Sequence, residues 1–146
     1  MDASTPFPTP SAPGGHYVPV VVHQGIAYVS GQLPRLDNVV QYRGKVGGSI
    51  SVGQARQAAI LCASQCLAAL DKELGGLSRV VRLLRVTGYV ASAEGFDQQP
   101  LVIDAASEYF CEILGTAGPH ARSAIGVAQL PRGASVEVEV TVAIKE

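Results

Sequence analysis

Nine residues near the end of the chain, VEVEVTVAI, alternate without a fault. Val136, Val138, Val140, Val142 and Ile144 share one parity, and Glu137, Glu139, Thr141 and Ala143 share the other. Side chains of an extended strand point to opposite faces in turn, so this segment predicts a strand with one apolar and one polar side. A sheet built around it must be covered by other apolar elements on one face only.

Two segments can supply that cover. Ser51 followed by Gln54 has the form of a capping box, and Ala55, Ala58, Ala59, Cys62, Ala63, Cys66, Leu67, Leu70 and Leu74 recur at helical spacing before Gly75. One long helix is predicted, and its mostly Ala and Cys face can lie close against a sheet. Pro100 suits a first helical turn, and Val102, Ile103, Ala106, Tyr109, Phe110, Ile113 and Leu114 form a second stripe up to Gly115. YVPVVVHQGIAYVSG predicts a β-hairpin turning at His23-Gln24-Gly25. Residues 79–92 are rich in β-branched side chains and read as a strand in which Gly88 marks a bulge or a close approach. A short strand at 39–42 falls within the polar loop or sheet edge of 35–48. Residues 120–140, HARSAIGVAQLPRGASVEVEV, read as two strands joined by a Leu130-Pro131 turn. The order ββ(β)αβαββ predicts an α+β sandwich, a mixed sheet with two helices on one face. The first fifteen residues contain four prolines and two glycines and are expected to form a flexible arm over 1–15, leaving a single domain over 16–146.

Charge and cysteine usage exclude several function classes. Lys and Arg together number 11 in 146 residues, scattered along the sequence, and the net charge is −1, so no electrostatic footprint for nucleic acid is expected. No segment approaches the roughly 20 apolar residues of a bilayer span, so no membrane association is expected. The N-terminal residues lack a basic stretch followed by an apolar one, which makes the cytoplasm the expected compartment. Cys62 and Cys66 lie four apart in one predicted helix, against a disulfide framework, and His16, His23 and His120 share no metal-ligand spacing. A sheet face left uncovered in a chain with only 16 % charged residues predicts self-association, with small-molecule clefts between copies.

Arg122 enters a strand whose alternate positions Ala124, Gly126 and Ala128 are all small, leaving room beside its guanidinium. One reading makes it the clamp of a small acid, because arginine grips a carboxylate through two parallel hydrogen bonds. The other pairs it with Glu137 or Glu139 across the last two strands. Ser30 lacks a His and Asp at nucleophile spacing and reads as a turn serine. Tyr17 reads either as a ligand donor or as a half-buried packing residue. Gly47 to Ser49 lacks the length and the lysine of a P-loop.

The blocks GHY at 15–17, YVSGQLP at 28–34, VGGSIS at 46–51 and HARSAIGVAQLP with VEVE resemble the RidA family, also called YjgF or endoribonuclease L-PSP proteins, from about Gly15 onward. The resemblance implies a chorismate-mutase-like (YjgF-like) α+β fold and a homotrimer with ligand sites in the clefts between subunits. It also implies hydrolytic deamination of reactive 2-imino or enamino acids to 2-keto acids and ammonia, without cofactor or metal. Carried over by position, Arg122 clamps the substrate carboxylate, Tyr17, Ser30 and Gly31 border it, and Glu137 holds the attacking water. The archetype has a cysteine where this chain has Ala124, whose backbone carbonyl would serve instead. Asp104 is matched to an asparagine lining the archetypal cleft, and a carboxylate there disfavours an acidic substrate. These departures keep open a second reading, a non-catalytic small-carboxylate-binding or regulatory protein of the same fold. A ribonuclease or translation inhibitor ranks last on charge and on the absence of an aromatic stacking platform.

Overall fold

The hydroxyl of Ser51 accepts a hydrogen bond from the Gln54 amide (3.1 Å) while the Ser51 amide donates to the Gln54 side chain (2.9 Å). This closed capping box starts helix α1, Val52–Leu74, which runs until Gly75 turns left-handed at φ 70°. The computed structural model describes residues 7–146. In order they form β1 (Val20–His23), β2 (Ile26–Gln32), β3 (Arg35–Leu36), β4 (Val39–Val40), α1, β5 (Val80–Ala91), α2 (Gln99–Leu114), β6 (Ala121–Val127) and β7 (Val136–Ile144). The main sheet has the order β1-β2-β7-β5-β6, antiparallel throughout except for the parallel pair β5/β6, and β3 and β4 make a separate ribbon. The architecture is the expected α+β sandwich, with a mixed sheet and two helices.

Small residues set the distance between layers. Cys62 and Cys66 of α1 donate their thiols to the backbone carbonyls of Val136 and Val138 on β7 (3.5 and 3.4 Å), an approach that larger side chains at these positions would prevent. Burial pushes both thiols well up in pKa, which keeps them protonated and unreactive. On β5 a Cβ at Gly88 would stand 2.4 Å from the Cδ1 of Ile103, so Gly88 marks a close approach of α2 rather than a bulge. Val136, Val138, Val140, Val142 and Ile144 are all buried with these helices in one core.

The last two strands are not neighbours. β5 lies between β6 and β7, and β6 pairs in parallel with β5 through the crossover helix α2. The alternating valines of β7 need cover along their whole length and take the centre of the sheet. β6, which contains Gly126 and has no fully buried residue, takes the edge. Arg122 is therefore opposite Val86, and of the two readings of Arg122 the pairing with Glu137 or Glu139 is not the one found, its ion pair being with Asp104.

Of the expected N-terminal arm, residues 1–6 lie outside the described residues. From Phe7 onward it has no regular structure up to Pro13 but lies against the domain: Phe7 is buried, the Ser11 amide donates to Gln65 Oε1 and the Ala12 amide to Asn38 Oδ1, each at 3.0 Å.

Candidate functional site

The sheet separates the predicted site residues into two groups. Register places Glu137 beside Tyr89, Glu139 beside Thr87 and Thr141 beside Arg85, all on the face turned away from the helices because their neighbours along β7 are the buried valines. Arg122 pairs with the buried Val86 and Ala124 with Gly88, so both belong to the helix-facing side, at the sheet edge.

On the open face, Gly31 of β2 lies against Glu137. A Cβ at Gly31 would stand 2.8 Å from Glu137 Oε2, so a side chain there would displace this carboxylate from its place over the strand. Burial, followed by the neighbouring Glu139, raises the pKa of Glu137 above the ordinary carboxylate range. Tyr89 donates its hydroxyl to Glu139 Oε1 at 2.5 Å, and this bond, with burial, pushes the phenol up to about 12. A cavity of about 240 Å³ on this face is lined by Tyr28, Arg85, Thr87, Glu139 and Thr141, among others. Ser30 donates its hydroxyl to the Val18 carbonyl (2.7 Å), tying β2 to the segment before β1. The Tyr17 hydroxyl accepts from the Gly14 amide (3.2 Å), and it and the Arg132 guanidinium both lie within 4 Å of the point where a Gly14 Cβ would be.

On the helix side, Arg122 Nη1 donates to Asp104 Oδ1 (2.8 Å) and to Ser107 Oγ (3.1 Å), while Nη2 reaches the Pro100 carbonyl (3.4 Å). Ser107 Oγ lies 2.9 Å from His120 Nε2, and His120 Nδ1 lies 2.6 Å from the Gly118 carbonyl. A carbonyl can only accept, so Nδ1 carries a proton; in the neutral ring Nε2 then accepts from Ser107, whose oxygen accepts from Arg122. The relay runs in one direction, Arg122 to Ser107 to His120 to Gly118. It uses both protons of Nη1 and leaves Nε with no hydrogen-bond partner among the described residues, Nη2 reaching only the Pro100 carbonyl.

The structure thus joins Arg122 with Asp104 and, separately, Gly31 with Glu137. It adds Ser107 and Tyr89, which sequence reasoning missed, and gives Glu139 and His120 places other than the Arg122 partner and the metal ligand that sequence reasoning weighs for them. Tyr89 shares its parity with Arg85 and Thr87 on β5, a signal for the open face, but only the register with β7 sets it beside the two glutamates. Among the described residues no group of His, Cys, Asp and Glu side chains is arranged to hold a metal ion, and no helix is long and apolar enough to cross a membrane.

Comparisons with known proteins agree with this architecture. The family model described as Endoribonuclease L-PSP matches residues 9–144. Protein TCP17 of Trypanosoma cruzi is 39 % identical over 137 residues, covering 93 % of this chain and 86 % of that protein. The crystal structure of Atu1372 from Agrobacterium tumefaciens, a protein of unknown function, superposes with a TM-score of 0.86 at 43 % identity, covering 88 % of this chain and 82 % of that one. The YjgF gene product of E. coli matches with a TM-score of 0.61 at 25 % identity over 94 % of both chains. With its length, its mixed sheet and its paired helices all accounted for, the chain belongs to the endoribonuclease L-PSP family, of which YjgF is a member.

Proposed function

We propose that the protein is a cytoplasmic homotrimer that hydrolyses small reactive 2-imino or enamino acids to 2-keto acids and ammonia in clefts between its subunits. The observation that carries this reading is the separation of the two groups: a guanidinium with an open edge on one side of the sheet and a raised-pKa carboxylate on the other. One chain cannot bring them to one ligand, whereas two copies packed edge to face can.

In such a cleft the Nε edge of Arg122 binds the substrate carboxylate, while Asp104 and Ser107 hold Nη1 and fix the plane of the fork. Glu137 takes a proton from water as the oxygen adds to the iminium carbon, giving a carbinolamine. Returning that proton to nitrogen expels ammonia, and loss of the hydroxyl proton leaves the 2-keto acid. A carboxyl raised toward neutrality is better suited to this exchange than an ordinary one. Reaction of this kind needs orientation and a proton carrier, which the residues supply without a metal or cofactor.

Purified protein added to a pyridoxal-phosphate dehydratase that generates 2-iminobutanoate should speed the appearance of 2-ketobutyrate. Two observations favour the second reading, a small-carboxylate binder without turnover: Asp104 already pairs with Arg122, and Ala124 supplies no thiol. Saturable binding of 2-ketobutyrate with no change in the rate of its formation would select that reading.

A further inference from the structure

Three arginines that the sequence scatters converge outside both groups. The β3–β4 ribbon sets Arg35 opposite Val40. Arg43 bridges to Ala134 and the Gly44 amide donates to the Gly133 carbonyl (2.9 Å), which draws the turn carrying Arg132 onto the ribbon. Arg43 lies over Gly133, so close that a Cβ there would stand 3.3 Å from its Nε. A cavity of about 360 Å³ opens here, lined by Asn38, Val39, Val40, Arg43 and Arg132.

The charge at this place is not balanced. The ion pairs among the described residues join Arg56 to Glu108 and Arg122 to Asp104, leaving all three of these arginines without an acid. Arg35 is 6 % exposed, its Nε has no hydrogen-bond partner, and its Nη2 donates to the Ala12 carbonyl (2.7 Å) rather than to a carboxylate. A guanidinium removed from water without a counter-charge is disfavoured, and here burial and the nearby Arg132 lower its pKa. Asn38 uses its side-chain oxygen on the Ala12 amide, which leaves its NH₂ to donate.

We propose that this cavity binds the phosphate group of a small molecule. Two exposed guanidinium forks and an amide donor lining the cavity suit a compact dianion with three equivalent oxygens better than they suit a single carboxylate. Arg35, on the strand beside Val40, adds an uncompensated charge to the same neighbourhood. The site does not depend on the deaminase reading, since neither Arg122 nor Glu137 takes part.

Inorganic phosphate is the probe, titrated into the full chain by calorimetry and followed by thermal melting, with chloride holding ionic strength constant. The expected result is saturable binding that raises the melting temperature. Arg43→Gln combined with Arg132→Gln should weaken it at least about tenfold, the loss of one or more charge-assisted hydrogen bonds, while Arg82→Gln on β5 leaves it unchanged. Both rim residues are exposed, so these variants should fold; Arg35→Met is an additional arm whose reduced affinity would support the same conclusion. The proposal is overturned if phosphate shows no saturable effect, if acetate binds equally well, or if the double variant retains full affinity. Tight, salt-sensitive binding of a single-stranded RNA without phosphate binding would also overturn it.

Discussion

Arg122 gives the clearest instance of what a sequence conceals at the scale of a residue. Its placement at a strand entrance beside small residues is legible in HARSAIG, but Asp104 and Ser107 stand 18 and 15 positions earlier and meet it only through the packing of α2 on β6. Glu137 shows the converse: its polar parity is plain in VEVEV, whereas its contact with Gly31 needs the β2/β7 register. Arg122→Ala should abolish calorimetric binding of 2-ketobutyrate with little change in melting temperature, and Arg122→Lys should restore little, because an ammonium lacks the planar fork. Asp104→Asn keeps an oxygen acceptor for Nη1 and removes a competing, half-exposed charge, so ligand affinity should rise a few-fold, about 0.5–1 kcal/mol; a weaker affinity would mean that the charge of Asp104, not its acceptor, organises the clamp. Glu137→Gln should slow imine hydrolysis by about 10²- to 10⁴-fold. The pKa of Glu137 is raised on folding, so the protonated form is favoured in the folded state, and its contribution to stability declines as pH rises from the ordinary carboxylate value through the raised one. The same Gln variant should therefore melt higher than wild type at neutral pH. Wild-type turnover should fall as pH drops through that raised value, which a pH–rate profile reads directly.

Elements were legible where a local rule acts alone. The capping box of α1, the hairpin turn at Gln24-Gly25 and the parity of β7 each follow from residues within a few positions of one another. The sheet order was not, because the short link from β6 to β7 suggests a hairpin, and only the crossover through α2 shows that β6 belongs beside β5. That order sets where the candidate site residues lie, since it sends Arg122 to an edge and Glu137 to the centre of the opposite face. Gly88 is the point on which the β5–α2 layer spacing turns. Gly88→Ala should force Ile103, and with it α2, away from the sheet, lowering stability by about 1–3 kcal/mol, which equilibrium unfolding in urea measures. Pairing it with Ile103→Val should recover part of the loss, because that change removes the Cδ1 atom nearest the added methyl; no recovery would place the strain elsewhere.

For the whole molecule, the decisive property is that the two candidate groups, Arg122 and Glu137, lie on opposite sides of one sheet, a division invisible in the linear order of the chain and apparent only once every strand has a neighbour. The proposed trimer turns this division into complete sites, each taking Arg122 from one copy and Glu137 from the next. Mixing subunits tests the claim most directly. Arg122→Ala and Glu137→Gln proteins, each inactive alone, are dissociated together, reassembled in equal amounts and assayed for 2-ketobutyrate formation from dehydratase-generated 2-iminobutanoate. If the site spans two copies, random reassembly unites an intact arginine with an intact glutamate at about one quarter of the clefts, so about a quarter of wild-type activity should return. If both residues act within one chain, every cleft keeps one defect and the mixture stays as inactive as its components, which would contradict the account.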